Sequence, residues 1–410
     1  LNLNLTELAV INAGNKIVIG KDGVQTGDMD IDAWDISSRS FDVELYANDI
    51  TMGGIDMGEG SILAHAQDNG GDLGTLAIDG NINRDMIDGT ATLDLRADNN
   101  ITSSGGYHIR ATDADSDGDG NEETDADSLT VILNANRDGV VGNDEGGVDL
   151  DTVEITTLGG DIIIGGGTDP RNTPTYNEAG VVLSRVNLST GAGDIHITGA
   201  GDANSSGGGD HGVTMNSSSV LYTTSGNITI NGTSRSNGIN SRGIALGAVN
   251  FVTESGAITM RGEAQGNNTG NVGLYWGSDA GLNSVGTGTE IGDIILTGIG
   301  PGDQAEALTI EGTDDFVIRD ANITITGING DVSIDNPISK VGGTEEITIS
   351  VQADGDITLG TDGSMTSSSG IMNVLLNADR DGDEDGDISI NNADISTNGG
   401  YFIAGGGSGT

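Results

Sequence analysis

One short unit recurs along this chain and restricts its fold more than any other feature. It runs from a turn glycine through a polar residue to apolar, polar and apolar positions, and closes on another glycine or an asparagine. Gly193-Asp194-Ile195-His196-Ile197-Thr198-Gly199, Gly226-Asn227-Ile228-Thr229-Ile230-Asn231-Gly232 and Gly256-Ala257-Ile258-Thr259-Met260-Arg261-Gly262 are full instances. Gly292-Asp293-Ile294-Ile295-Leu296 and Asn322-Ile323-Thr324-Ile325 continue the series. The first apolar positions fall at 195, 228, 258, 294 and 323, in steps of 33, 30, 36 and 29 residues. A constant strand at a drifting interval means rigid strands joined by loops of variable size, and a period in this range marks stacked repeats.

Two further apolar patches lie within each interval. Gly180-Val181-Val182-Leu183, Gly212-Val213-Thr214-Met215, Gly243-Ile244-Ala245-Leu246 and Gly273-Leu274-Tyr275-Trp276 form one series. Val186-Asn187-Leu188, Leu221-Tyr222-Thr223, Asn250-Phe251-Val252 and Phe316-Val317-Ile318 form the other. Alternation at period two gives each patch one buried and one wet face, the mark of a short strand. Gly, Asn, Asp and Ser fill the joints, where positive φ is needed. The sequence therefore predicts an all-β, single-stranded parallel β-helix (β-solenoid) with about three short strands per coil. Residues 1–410 read as one continuous solenoid. Within it, 1–110 form less regular coils, 111–170 carry acidic insertions and a glycine-rich repeat, 171–330 form regular coils, and 331–410 end in a second glycine-rich repeat.

Composition removes the competitors. The chain carries 63 Asp+Glu against 15 Lys+Arg, a formal charge of −48 that repels phosphate and argues against nucleic acid. With no cysteine there is neither a disulfide scaffold nor a thiolate metal site. No run approaches the ~18 apolar residues of a membrane-spanning helix. Glycine, at 70 positions, does not recur every third residue, so collagen fails. High charge with few aromatics is also the signature of disorder. Here, however, the 34% of apolar residues are clustered, which favours an ordered chain with a thin core.

A longer duplication overlies the short period. Leu133-Asn134-Ala135-Asn136-Arg137-Asp138-Gly139 leads on to Leu158-Gly159-Gly160-Asp161-Ile162-Ile163-Ile164-Gly165-Gly166-Gly167. Leu376-Asn377-Ala378-Asp379-Arg380-Asp381-Gly382 leads on to Asn398-Gly399-Gly400-Tyr401-Phe402-Ile403-Ala404-Gly405-Gly406-Gly407. A partial copy joins Leu95-Arg96-Ala97-Asp98 to Ser104-Gly105-Gly106-Tyr107-His108-Ile109. The glycine triplets read as turn chemistry. Leu1 opens without a secretion signal and the last copy stops at Thr410, so a segment of something longer is expected.

The Leu-Asn-Ala-Asn/Asp-Arg-Asp-Gly loops, their Gly-Gly sequels and the Ser225-Gly226-Asn227-Ile228-Thr229-Ile230 type of unit resemble the repeat region of filamentous-haemagglutinin-type bacterial exoproteins. That resemblance implies a right-handed parallel β-helix, a secreted or cell-surface location, export through an outer-membrane partner, and a part in adhesion, aggregation or biofilm. The family's amino-terminal secretion domain is not evident in this sequence.

The acidic loops are the one place where the residues themselves suggest chemistry. Asp113, Asp115, Asp117 and Asp119 alternate around Gly118 and Gly120. Asn134, Asn136 and Asp138 precede Gly139, with Glu145 at the twelfth position of the loop. Asp379, Asp381, Asp383 and Asp385 alternate in the second copy. Calcium takes six to eight hard oxygens, which alternate carboxylates around a glycine turn can supply, so calcium is the cofactor expected and no organic cofactor is. The bland alternative is a solvated acidic loop.

No enzyme is expected. Arg137 and Arg380 sit beside acidic loops, as a lyase base would, but arginine in such a loop is more often an ion-pair partner. Trp34 and Trp276 are the only tryptophans available as sugar platforms, and Trp276 reads as packing. His65, His108, His196 and His211 show no ligand spacing, and no Ser-His-Asp arrangement emerges. Asn-x-Ser/Thr sequons at Asn4, Asn100, Asn187, Asn204, Asn216, Asn227, Asn231, Asn267 and Asn322 are candidate glycosylation sites. The function expected is a structural or adhesive extracellular protein: a stiff acidic segment of a bacterial surface fibre. Its partners would be copies of itself or further repeats, and host-cell, neighbouring-cell or matrix surfaces. Two alternatives are a polysaccharide-active β-helix and a calcium-dependent surface-layer or matrix component.

Overall fold

The computed structural model describes residues 14–24, 26–68, 74–85, 89–112, 128–139, 146–203, 208–266, 268–277, 279–284, 291–302, 305–312, 314 and 316–407. Among them the regular elements are β-strands, and no helix is long and apolar enough to cross a membrane. The chain falls into two compact units, residues 1–177 with 181–198, and residues 178–180 with 199–410.

In the second unit, Ile228–Ser234, Ile258–Ala264, Ile294–Ile299, Ile323–Ile328, Ile347–Ala353, Met372–Ala378 and Phe402–Gly406 pair in that order, all in parallel. A second ladder runs through Val213–Asn216, Arg242–Leu246, Val272–Trp276, Glu306–Glu311, Asp331–Asp335, Ile357–Leu359 and Ile388–Ile390. The third comprises Ser219–Thr223, Val249–Thr253, Gly281–Ser284, Phe316–Ile318, Ile338–Lys340, Met365–Ser367 and Ile395–Ser396. Three strands per coil, each pairing with its counterpart in the next, make a parallel β-helix. The registers Ile228↔Ile258, Ile258↔Ile294 and Ile294↔Ile323 are those of the sequence period. The next rung, Ile323↔Ile349, joins two units that both lack the turn glycine of the units at 195–294.

The first unit has the same construction. Lys16–Ile19, Asp42–Ala47, Ile62–Ala66, Thr90–Ala97, Ser128–Ala135 and Ile162–Gly166 form one parallel ladder. Its other faces are less regular: Ile50–Asp56 is one strand whose two halves pair with Leu76–Ile78 and Ile82–Asp85.

Most inward positions are aliphatic, and most outward ones are polar. Ile228 and Ile230 are fully buried while Thr229 between them is not. Each such side chain contributes about 1.5–3 kcal/mol by leaving water. Trp276 is a packing residue: its ring lies 5.3 Å from Phe251 and 4.5 Å from Phe316, and its Nε1 donates to the Ala280 carbonyl. Trp34 is buried as well.

Corners use two devices. A threonine hydroxyl donates to the carbonyl three residues on, from the buried Thr157 to Gly160, Thr190 to Gly193 and Thr253 to Gly256, and from the half-buried Thr397 to Gly400. Asp and Asn side chains of one coil also accept backbone N–H groups of the next, as Asp49 does from Thr75, Asn227 from Ala257, Asn322 from Thr348 and Asp356 from Asp387. Part of the acidic excess is therefore structural. Among the described residues, Lys340 and Asp320 form a wholly buried ion pair at 3.3 Å. Lys340 Nζ also donates to the carbonyls of Arg319 and Gly342, so its ammonium is fully partnered.

Candidate functional site

The two copies of the Arg-Asp-Gly turn hold the calcium candidates of the second and third acidic loops. Each closes a strand, Ser128–Ala135 in the first copy and Met372–Ala378 in the second. Each then enters the left-handed region, at Asn136 (φ 50°) and Asp379 (φ 51°). Gly139 N donates to Asn136 O at 3.1 Å, and Gly382 N to Asp379 O at 3.2 Å. The arginine amides anchor both turns alike, Arg137 N to Ala97 O and Arg380 N to Ala353 O, each at 2.9 Å.

Side-chain chemistry separates the copies. In the first, Asn134 and Asn136 are buried, Asn134 Nδ2 donates to Gly167 O at 3.1 Å, and Asp138 is exposed. Glu145 lies outside the described residues, as do Asp113, Asp115, Asp117 and Asp119. In the second, Asp379, Asp381 and Asp383 bring carboxylate oxygens within 4.8 Å of one another. The turn is held by Glu384 N donating to Asp379 Oδ1 at 3.2 Å and Asp385 N to Asp383 Oδ1 at 3.0 Å. Asp385 itself stays outside the group. These three carboxylates could furnish half of a calcium shell, with water supplying the remainder. Arg380 pairs with the buried Asp354 at 2.7 Å.

Three arrangements escaped sequence reading because their members lie a coil apart. Ser236 Oγ donates to Asp210 Oδ2 at 2.7 Å, beside His211. This is not a nucleophile–base pair: the serine proton goes to the carboxylate, and His211 Nδ1 accepts the Arg242 backbone N–H at 3.1 Å. Burial, followed by the nearby Arg242 charge, pushes His211 down to about 4. His65 Nε2 meets Asp98 Oδ1 at 2.9 Å. Asp331, Asp356 and Asp387 follow one another along a corner, each aspartate accepting the next one's amide. Burial raises the Asp331 carboxyl, the Asp356 amide opposes that rise, and the charges of Asp356, Glu306 and Asp385 add to it. The signal for all three was a spacing of one coil, 25 to 33 residues.

An open groove of about 620 Å³ lies over the third face of the second unit, where Gly281 leaves room beside Asn250, Asp279 and Asp314. Its described lining includes the carboxylates of Asp279 and Asp314 beside Ser218, Ser219, Asn250 and Asn283. Of the sequons, Asn187, Asn227 and Asn322 are exposed, and Asn100, Asn216 and Asn231 half-buried. The side-chain oxygens of Asn100, Asn227 and Asn322 accept coil-to-coil backbone bonds. Asn4, Asn204 and Asn267 lie outside the described residues. The glycine triplets correct the turn reading: Gly165 and Gly166, like Gly405 and Gly406, are strand residues, and only Gly167 and Gly407 take positive φ.

No family model matches the chain, and no curated protein or solved structure matches it.

Proposed function

We propose that the chain is a structural and adhesive segment of a bacterial surface fibre, a non-catalytic acidic β-solenoid that works outside the cell. The observation that carries this reading is the ladder itself. Aliphatic rungs repeat coil after coil, while the polar clusters within reach of catalysis are spent on one another, as in Ser236–Asp210 and Lys340–Asp320. The resemblance to filamentous-haemagglutinin-type repeats adds the surface setting and the tasks of attachment, aggregation or matrix formation.

The last described rung supports the partner. Ile390, Tyr401, Phe402 and Ile403 are 41%, 47%, 44% and 55% exposed, whereas Leu359 and Val374, paired with Ile390 and Phe402 one coil earlier, are buried. A further rung of the same kind, from more repeats or from a second copy, covers such a face and pairs its open strand edges. Beads coated with the protein should adhere to bacterial or host-cell monolayers and to one another. Light scattering should show mass growing with concentration. Monodisperse monomer together with beads that neither cluster nor attach would sink the proposal.

A further inference from the structure

In the second unit, the first of the three ladders turns an almost uncharged face to solvent between Ile228–Ser234 and Ile347–Ala353. Its registers set the outward side chains in columns. One runs through Thr229, Thr259, Ile295, Thr324 and Ser350, and the next through Asn231, Arg261, Thr297, Thr326 and Gln352. A third holds Thr233, Glu263, Ile299 and Ile328. Of these residues only Arg261 and Glu263 are charged, and they pair with each other at 3.1 Å. Asp293 and Glu346 stand at the corner where the strands begin, outside the columns, and each accepts from an asparagine side chain of the next coil.

On a chain with a formal charge of −48 such a face is an exception. The second ladder turns Glu311, Asp331 and Asp335 outward in neighbouring coils. The third narrows to Phe316–Ile318 and Ile338–Lys340, each with one outward side chain, and is flanked by Asp279 and Asp314.

The centre of the uncharged face is apolar. Ile295, in the middle coil, is 38% exposed, and away from the first and last rungs no other large apolar residue of a described strand is so open. Ile163, an outward isoleucine of the first unit, shows the contrast at 5% exposure. There residues 168–175 lie across it and the floor of Gly165, Gly166 and Gly167. Gly166 N donates to Thr173 O at 2.8 Å, and a Cβ at Gly165 would strike the Pro170 carbonyl oxygen.

We propose that a second copy of the chain packs on the uncharged face, sheet against sheet, in a two-fold dimer centred on Ile295. Charge selects that occupant. Two such acidic chains repel wherever their carboxylates approach, and like charges set face to face are strongly unfavourable. This face brings no net charge to a contact, and a two-fold axis sets the same patch against itself. An apolar centre within a polar rim is also the usual anatomy of an interface. Five coils about 4.8 Å apart and five residues rising about 3.3 Å each give roughly 400 Å² per copy. That is the low end of specific interfaces, so the dimer is weak and reversible. The contact is separate from the last rung, so it does not depend on the adhesive or end-to-end reading.

Sedimentation equilibrium of the full chain, from micromolar to sub-millimolar concentration, should reveal a species of two chains. Sodium chloride should strengthen it, because screening removes the repulsion between copies. Ile295→Lys puts a charge at the centre of the contact and should weaken association at least about tenfold, although it makes the chain less acidic. Ser333→Lys makes the same change of charge on the second ladder and should leave the dimer intact or strengthen it. Ile295→Thr keeps the face neutral and should weaken association about threefold. Both positions face outward, so melting should hold in all three variants. Absence of a two-chain species, a dimer that salt dissolves, or one indifferent to both Ile295 substitutions would overturn the proposal. Open-ended growth that ignores those substitutions would also overturn it while supporting the end-to-end reading. A closed dimer that they abolish, with no growth beyond it, would do the reverse.

Discussion

The turn at residues 134–139 and the turn at residues 377–382 share their anchor bonds and left-handed corner, yet they present different chemistry to solvent. The first closes on buried asparagines and lies beside a glycine floor roofed by residues 168–175. The second gathers three carboxylates, and among the described residues no atom lies within 4 Å of a Cβ at Gly405. Backbone geometry is shared at the turn, while side chains diverge at both buried and exposed positions: buried Asn136 against Asp379, and Asp161 against Tyr401. A solenoid duplicates its frame cheaply because each coil answers only to its neighbours. What a copy can do then depends on residues the frame does not need.

The sharpest way to break this comparison is to give both floors the same side chain. Gly165→Val drives its Cβ into the Pro170 carbonyl, so the cover must lift and expose Ile163. The expected loss is about 1–3 kcal/mol, accompanied by rapid amide exchange over residues 168–175. A Cβ at Gly405 meets no described atom within 4 Å, so Gly405→Val should stay within about 0.5 kcal/mol of wild type. Equal melting shifts for the two variants would show that the floors do not differ as described.

His196 reports on the same cover with a smaller effect. The alternation Ile195-His196-Ile197 places it outward, yet the segment above half-buries it. Burial lowers its pKa below the ordinary imidazole value, and the hydrogen bond to Arg171 O only partly opposes that. A histidine whose folded value lies below its unfolded one favours the native state above the unfolded pKa. That contribution is lost as pH falls through ~6.5 towards the folded value. Lifting the cover should move His196 back up and flatten this part of the stability profile. Proton NMR titration of wild type and Gly165→Val measures the change. An unmoved His196 in a variant whose cover exchanges freely would mean that burial arises elsewhere.

Much of this frame was legible in the sequence, because a period-two pattern repeated about every thirty residues admits few folds. The inward column at 228, 258, 294 and 323 follows from alternation alone. The threonine hydroxyl at the corner was not extracted, although Thr157-Leu158-Gly159-Gly160 and Thr397-Asn398-Gly399-Gly400 are in plain view. Its role depends on a bond to a carbonyl that composition does not reveal. The site was legible only in part. Alternate aspartates at 379, 381 and 383 do converge. Asn134 and Asn136 have a similar spacing, yet they face the interior, because the turn spends Asn134 on the Gly167 carbonyl. Partnerships one coil apart, such as Ser236 with Asp210, become visible only when registers are known.

The smallest expected effect tests whether the difference between the turns extends to metal. Calcium at ten times its dissociation constant would stabilise a protein with one site by about 1.4 kcal/mol, a shift of one to a few degrees in a melt, roughly. A charge of −48 also attracts divalent ions loosely, so a shift alone proves little. Asp381→Asn removes one of the three converging carboxylates, and Asp138→Asn removes the exposed carboxylate of the first turn. Both lower the net charge equally, so diffuse screening changes alike in the two variants. If the second turn holds calcium, the shift should disappear in Asp381→Asn, persist in Asp138→Asn, and survive sodium chloride at a strength that collapses the Debye length to ~3 Å. Should both variants keep it, or salt erase it in all three proteins, the converging aspartates are no more than a solvated turn.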